Sequence, residues 1–161
     1  MVLKIKKILL VSSLSAVLIS SSIAIYALES MNIEYLISYA DNNGNGTTEN
    51  DIQQLQNNTG IEFILNGSNN YKYQTAEIFL DNGLDINSIN HSSDRNINAL
   101  HSAVLLKNTD NVLFLLKHGI DINAKTKNGL TALDWAIKTY EVNPTKELSE
   151  IIQILETASN S

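Results

Sequence analysis

Two stretches 36 residues apart constrain this chain more than any other feature: Leu80-Asp81-Asn82-Gly83-Leu84-Asp85-Ile86-Asn87 and Leu116-Lys117-His118-Gly119-Ile120-Asp121-Ile122-Asn123. Each ends an apolar-periodic segment with a glycine, the residue that accepts the left-handed backbone found just past a helix end. Lys117 and His118 stand in the last turn, where cations favour the negative helix end. Ahead of the second tail, Ala99 to Leu106 is an apolar run with small residues, fit for a buried helix. After the polar break Lys107-Asn108-Thr109-Asp110, Val112, Leu115 and Leu116 recur at helical spacing. A helix pair this short cannot bury its own apolar surface, so it needs neighbours of its kind.

A third copy follows. Leu133, inside Gly129-Leu130-Thr131-Ala132-Leu133-Asp134-Trp135-Ala136, stands 33 residues after Leu100. A period near 33, a helix–turn–helix unit and a Gly-x-Asp-x-Asn tail resemble the ankyrin repeat. The resemblance covers roughly residues 57–156. It implies an all-α ankyrin-repeat solenoid of about three helix-turn-helix repeats, 57–88, 89–124 and 125–157, behind an N-terminal helical cap over 28–56. It also implies that His101 and Asp134, which hold equivalent places, serve as structural hydrogen-bonding groups rather than catalytic ones.

The first repeat is divergent. Asn57-Asn58-Thr59-Gly60 falls at the tip of a finger, the loop between repeats, and Phe63-Ile64-Leu65 starts an inner helix. The spacing Ile64 to Ala76 equals that of Leu100 to Val112, and Asn66 to Asn70 predict a short or frayed helix. Asn96 takes the tip position of the second finger, where its tolerance of a left-handed backbone preserves the turn. In the last repeat, seven extra residues around Tyr140-Glu141-Val142-Asn143-Pro144-Thr145 predict a long hairpin. There Asn143 is the expected N-cap and Pro144 the first helical residue. Ile151, Ile152, Ile154 and Leu155 are the expected buried face of the final helix, with a disordered tail over 158–161 and its fraying beginning at Thr157.

At the other end, Lys4, Lys6 and Lys7 precede an apolar run from Ile8 to Ile19 and then small residues, the pattern of a secretory signal peptide over 1–27. The alternative is an uncleaved anchor; the absence of cysteine excludes a lipoprotein, disulfides and thiolate metal sites. Glu29 to Ala40 reads as an amphipathic helix, and Thr48 as the cap of another. Between them Asp41-x-Asn43-x-Asn45-Gly46 resembles a calcium loop, yet Ile52 stands where the bidentate Glu is needed, and a plain polar loop is expected. His91 and His118 lack partners at zinc-ligand spacing. No nucleophile elbow or phosphate-binding loop is present in the sequence, so no catalytic residue, metal or cofactor is expected.

The whole chain carries 11 basic and 17 acidic residues. Removal of the leader would leave 8 against 17, a net charge near −9 that disfavours nucleic acid and anionic lipid and suits a basic partner. The resemblance implies a non-catalytic protein-binding module, with no small-molecule substrate and no membrane association once the leader is gone. The leader places it in the periplasm or outside the cell. At family level, small exported bacterial proteins of this kind resemble immunity proteins that neutralise a secreted antibacterial effector, here a basic toxin or effector. The alternatives are an envelope structural or stress-protection accessory, or a secreted host-directed effector. The binding surface is expected at the fingers, His91, Asp94, Arg95, Asn96, Lys125, Lys127 and Asn128, with Leu105 and Leu106 behind them. Arg95 is the leading contact, because its planar fork suits interfaces.

Overall fold

The computed structural model describes residues 49–68 and 70–160. The leader over 1–27, the helix over 29–40, the calcium-like loop at Asp41–Gly46 and the cap at Thr48 lie outside the described residues. The described residues hold seven helices, in order α1 Glu49–Asn57, α2 Glu62–Leu65, α3 Lys72–Asp81, α4 Ala99–Leu105, α5 Thr109–Lys117, α6 Ala132–Val142 and α7 Lys146–Ser159. Among the described residues there is no strand, only an isolated antiparallel bridge between Ile89 and Asn98 at the base of a finger.

The helices pair as α2 with α3, α4 with α5 and α6 with α7; α4 also lies on α6, and α5 on α7. Inner helices therefore form one layer and outer helices the other. The core between them is Leu65 and Ala76, then Leu100, Val104, Val112 and Leu115, then Ala136, Leu148, Ile151 and Leu155, all at most 2% exposed. Burying an aliphatic side chain of this size stabilises by about 1.5–3 kcal/mol. The recurrence of that gain from unit to unit is what stacks the helices.

The outer helices α3 and α5 end as their tail motifs predict. Gly83 and Gly119 take φ of 98° and 78°, and the amides of Leu84 and Ile120 reach back to the carbonyls of Phe79 and Leu115. Asp85 and Asp121 then accept from the amides two residues on, at 2.8 and 2.9 Å, while the Asn87 side chain accepts from the Asp121 amide at 2.8 Å. The Gly-x-Asp-x-Asn tail thus ties one repeat to the next through backbone groups.

Four local expectations change. Asn57 is the last residue of α1, so the boundary drawn at 56/57 cuts a helical turn, although the Asn58 carbonyl still accepts from the His91 amide as a finger tip would. Asn143 ends α6 instead of capping α7: Pro144 drives the residue before it extended, with φ −143° and ψ 82°. Thr145 caps α7 in its place, its hydroxyl accepting from the Leu148 amide at 3.3 Å. The C-terminal tail is helical to Ser159, with Thr157, Ser159 and Asn160 each bonding a carbonyl four residues back. On that helix Leu148, Ile151 and Leu155 are fully buried, whereas Ile152 and Ile154 are only half-buried.

Lys107, at the break between α4 and α5, adopts φ 54°. A left-handed backbone costs a residue with a Cβ about 1–2 kcal/mol. Glycine there loses more unfolded-state freedom, which offsets part of the relief. Lys107→Gly is expected to stabilise the fold by about 0.5–1 kcal/mol. A urea midpoint that fails to rise would contradict the strain.

Candidate protein-binding face

The fingers are joined through their backbones. The Lys127 amide donates to the Arg95 carbonyl at 2.8 Å, and the Asn96 side-chain amide donates to the Lys125 carbonyl at 3.1 Å. Asn96 is left-handed, φ 54°, as its tip position requires. Those bonds occupy main chain and an amide, leaving the side chains of Arg95, Lys125 and Lys127 exposed; His91, Asp94 and Asn128 are exposed beside them. Arg95 makes no ion pair with Asp94 or with any other described residue.

Beneath the fingers, α4 is fixed by its first turn. Asn98 caps it, its side-chain oxygen accepting from the amides of Leu100 and His101 at 3.1 and 3.2 Å. His101, 1% exposed, reaches the Leu130 carbonyl of the next finger with Nε2 at 3.2 Å, and the Trp135 ring meets it edge-on with centroids 5.6 Å apart. Nδ1 of the same ring lies 2.7 Å from the Asn98 side-chain oxygen and 3.4 Å from the Asn98 backbone amide, so the ring bridges its own helix cap and the next finger. Asp134 works within its own helix, accepting from the Thr131 amide at 2.9 Å and hydroxyl at 2.8 Å.

Burial holds the His101 pKa below its ordinary 6.5, with the Leu130 bond working against the shift. The unfolded chain therefore protonates first, and the stabilising contribution is complete above about 6.5 and lost as pH falls below it. Urea midpoints are expected to fall between about pH 7.5 and pH 5.5, and to fall less in His101→Gln. Equal slopes for both proteins would remove the histidine from the account.

Every residue of α4 from Ala99 to Val104 is buried; Leu105 and Leu106 then emerge together, each 55% exposed. Leu105 stands one turn beyond His101, hence on the side facing the finger that carries Leu130. Leu106 stands one turn beyond Ser102, whose hydroxyl donates to Glu62 at 2.8 Å, hence toward the first repeat. Neither leucine folds into the core.

Sequence reading overlooked Phe63, 68% exposed on the four-residue α2, and the lysines Lys107, Lys138 and Lys146, each of which lies near a carboxylate. The Asp134 carboxylate is held below its usual range first by the Thr131 amide, then by the Thr131 hydroxyl, with smaller help from Lys138 and Lys125. Glu147 is lowered first by its own backbone amide and then by Thr145, with Lys107 and Lys146 assisting. Lys125 and Lys138 therefore share one neighbourhood, and Lys107 and Lys146 another. A clue existed in the sequence, since Lys107 directly follows the two leucines and Lys138 sits one turn beyond Asp134.

Among the described residues, no group of three His, Asp or Glu is placed to hold a metal, and no helix is long and apolar enough to cross a membrane. Among the described residues, a shallow depression between Tyr140, Pro144, Lys146, Ser149 and Gln153 is open to solvent.

Residues 63–155 match the family model described as ankyrin repeats in three copies. A protein of Acanthamoeba polyphaga mimivirus that is named as an ankyrin repeat protein is 41% identical over 59 residues, which are 37% of this chain. The match spans only 8% of that viral protein's length.

Proposed function

The chain belongs to the ankyrin-repeat family, and from that premise we propose that it is a non-catalytic protein-binding module working through its fingers and inner helices. The observation that carries this reading is the pair Leu105–Leu106, exposed side by side behind fingers whose own backbones are already bonded to one another. An apolar pair held in water by a rigid helix is a ready anchor, and mobile finger side chains around it supply selectivity.

A photoreactive residue at position 106 tests this in the cell of origin, with the same residue at position 113 as control. Leu113 is 49% exposed but lies on the outer helix α5. A defined crosslinked protein is expected from position 106 and not from 113. Crosslinks from 113 alone would assign binding to the outer face.

The finer reading is an immunity protein acting in the periplasm against a secreted antibacterial effector. It is supported by the basic start and apolar run of residues 1–27 and by family-level analogy. N-terminal sequencing of the protein from a periplasmic extract should show the leader removed near Ala24 or Ala27. Met1 retained on soluble cytoplasmic protein would sink it.

A further inference from the structure

Asparagine followed by glycine is chemically labile. The glycine amide nitrogen attacks the side-chain Cγ, an approach that no Cβ on the glycine obstructs. A bond from that nitrogen to Cγ forms as the bond from Cγ to Nδ2 breaks, and the nitrogen's proton leaves with Nδ2 as ammonia. Water then opens the resulting cyclic imide at one of its two carbonyls. The product is aspartate, or its isomer joined to the glycine through the side chain. Water is the only co-reactant.

The sequence holds five such pairs. Asn43-Gly44 and Asn45-Gly46 lie outside the described residues, which leaves Asn66-Gly67, Asn82-Gly83 and Asn128-Gly129. In these three the glycine amide donates to the carbonyl three residues back, at 3.2, 3.0 and 2.8 Å, so opening a turn is a cost they share. The side chains separate them. Asn66 Nδ2 donates to the Ser102 hydroxyl at 3.1 Å and its Oδ1 accepts from Asn111 at 3.5 Å. A Cβ at Gly67 would stand 3.2 Å from the Ile64 carbonyl oxygen, so the space beside that pair is tight. Asn82 Nδ2 donates to the Ile78 carbonyl at 2.7 Å, which folds its carboxamide back along α3. The Asn128 side chain is exposed and bonds no described residue, and a Cβ at Gly129 would meet nothing within 4 Å. A free carboxamide and open space beside the glycine coincide, among the three, only at Asn128.

We propose that Asn128 is a site of spontaneous deamidation, at which the folded protein turns a neutral finger tip into a carboxylate as it ages. The side chains of Asn66 and Asn82 must first break their hydrogen bonds, and one such bond of ordinary strength slows the step by up to about tenfold. The chemistry does not depend on the proposed binding function, but its outcome bears on that face, to which Asn128 belongs. A negative charge enters beside Lys127, whose amide joins this finger to the Arg95 carbonyl. The isomerised product also inserts a methylene into the backbone of a turn that the Gly129 amide closes on the Thr126 carbonyl. Both changes alter the finger without a mutation.

The test is incubation of the full folded chain in mildly alkaline buffer, with tryptic peptide mapping over time. Cleavage after Lys127 and Lys138 isolates Asn128 in a peptide that holds no other Asn or Gln, and chromatography resolves its aspartate from the isomerised form. The expected result is conversion at Asn128 about tenfold ahead of Asn82 and further ahead of Asn66, with both products present. In urea that unfolds the chain the three should convert at similar rates, because the bonds that separate them are gone. Asn66 or Asn82 keeping pace with Asn128 in the folded chain overturns the inference. So does an Asn128 that stays amidated in the folded chain while it converts in urea. A lead that survives unfolding would put the cause in local sequence and overturn the structural ground. A mass gain that persists in the same peptide of Asn128→Gln, whose longer side chain cyclises poorly, would place the change elsewhere and overturn the assignment.

Discussion

Ile151→Ala should lower the unfolding free energy by about 2–5 kcal/mol. Ile151 is 0% exposed, in line with Leu148 and Leu155 at the same burial, on a helix packed against both α6 and α5. Truncation removes three carbons, about 2.4 kcal/mol of transfer at about 0.8 per CH₂, and a cavity adds to that where neighbours cannot close in. Helix pairs in a stack lean only on the pairs beside them, so damage to the last outer helix strips the cover from α5 as well. The urea midpoint should drop with little change in slope. Ile152→Ala, one residue on but half-buried, should cost clearly less. Equal costs would mean that the buried stripe of α7 is misplaced.

That stripe shows where sequence periodicity carries and where it stops. Four of the final helix's apolar residues were legible as its inner face, yet only two of them are fully buried, and Leu148 completes the stripe. Leu148, Ile151 and Leu155 recur at three- and four-residue spacing and so form one narrow stripe, which leaves Ile152 and Ile154 at its two margins. The start of the helix also differs from expectation, since Thr145 and not Asn143 supplies the capping oxygen. A proline can open a helix or stand before one, and composition alone does not choose. The tail motifs were legible because glycine and aspartate do backbone work that few other residues can do. Asn96 was legible for the same reason. Lys107 was not, since nothing in a lysine side chain signals a left-handed backbone. The finger side of the candidate face was readable from the repeat register. The nearness of Lys107 to Glu147 was not, because those two residues meet only when the second and third repeats stack. Asn111 was hidden too, since an asparagine in an outer helix reads as solvated until a partner is found beneath it.

Asn111→Leu should destabilise by about 2–3 kcal/mol, and most of the damage should appear one repeat away. Asn111 is 1% exposed on α5, and its side chain is the junction between the first and second repeats. Its oxygen accepts from Lys72 at 3.1 Å and from the Tyr73 hydroxyl at 3.0 Å; its nitrogen donates to the Leu65 carbonyl at 3.2 Å. Leu65 ends the four-residue α2, whose carbonyls have little helix to follow them, so the amide substitutes for a missing turn. Leucine keeps the same branched four-heavy-atom skeleton and is the bulkier residue, so the change deletes hydrogen bonds and opens no cavity. It leaves the Tyr73 hydroxyl without this acceptor and Lys72 with the Leu65 carbonyl alone. Both donors are half-buried, which keeps the cost below that of a fully enclosed pair. Amide hydrogen exchange should accelerate most in α2 and α3 and least in α6 and α7, because coupling runs between nearest neighbours. Leu113→Ala, exposed on the same helix, should change little. If Asn111→Leu is neutral or stabilising, apolar contact and the Tyr73–Phe114 ring pair, 5.2 Å apart, hold the first repeat in place, and the polar junction is dispensable.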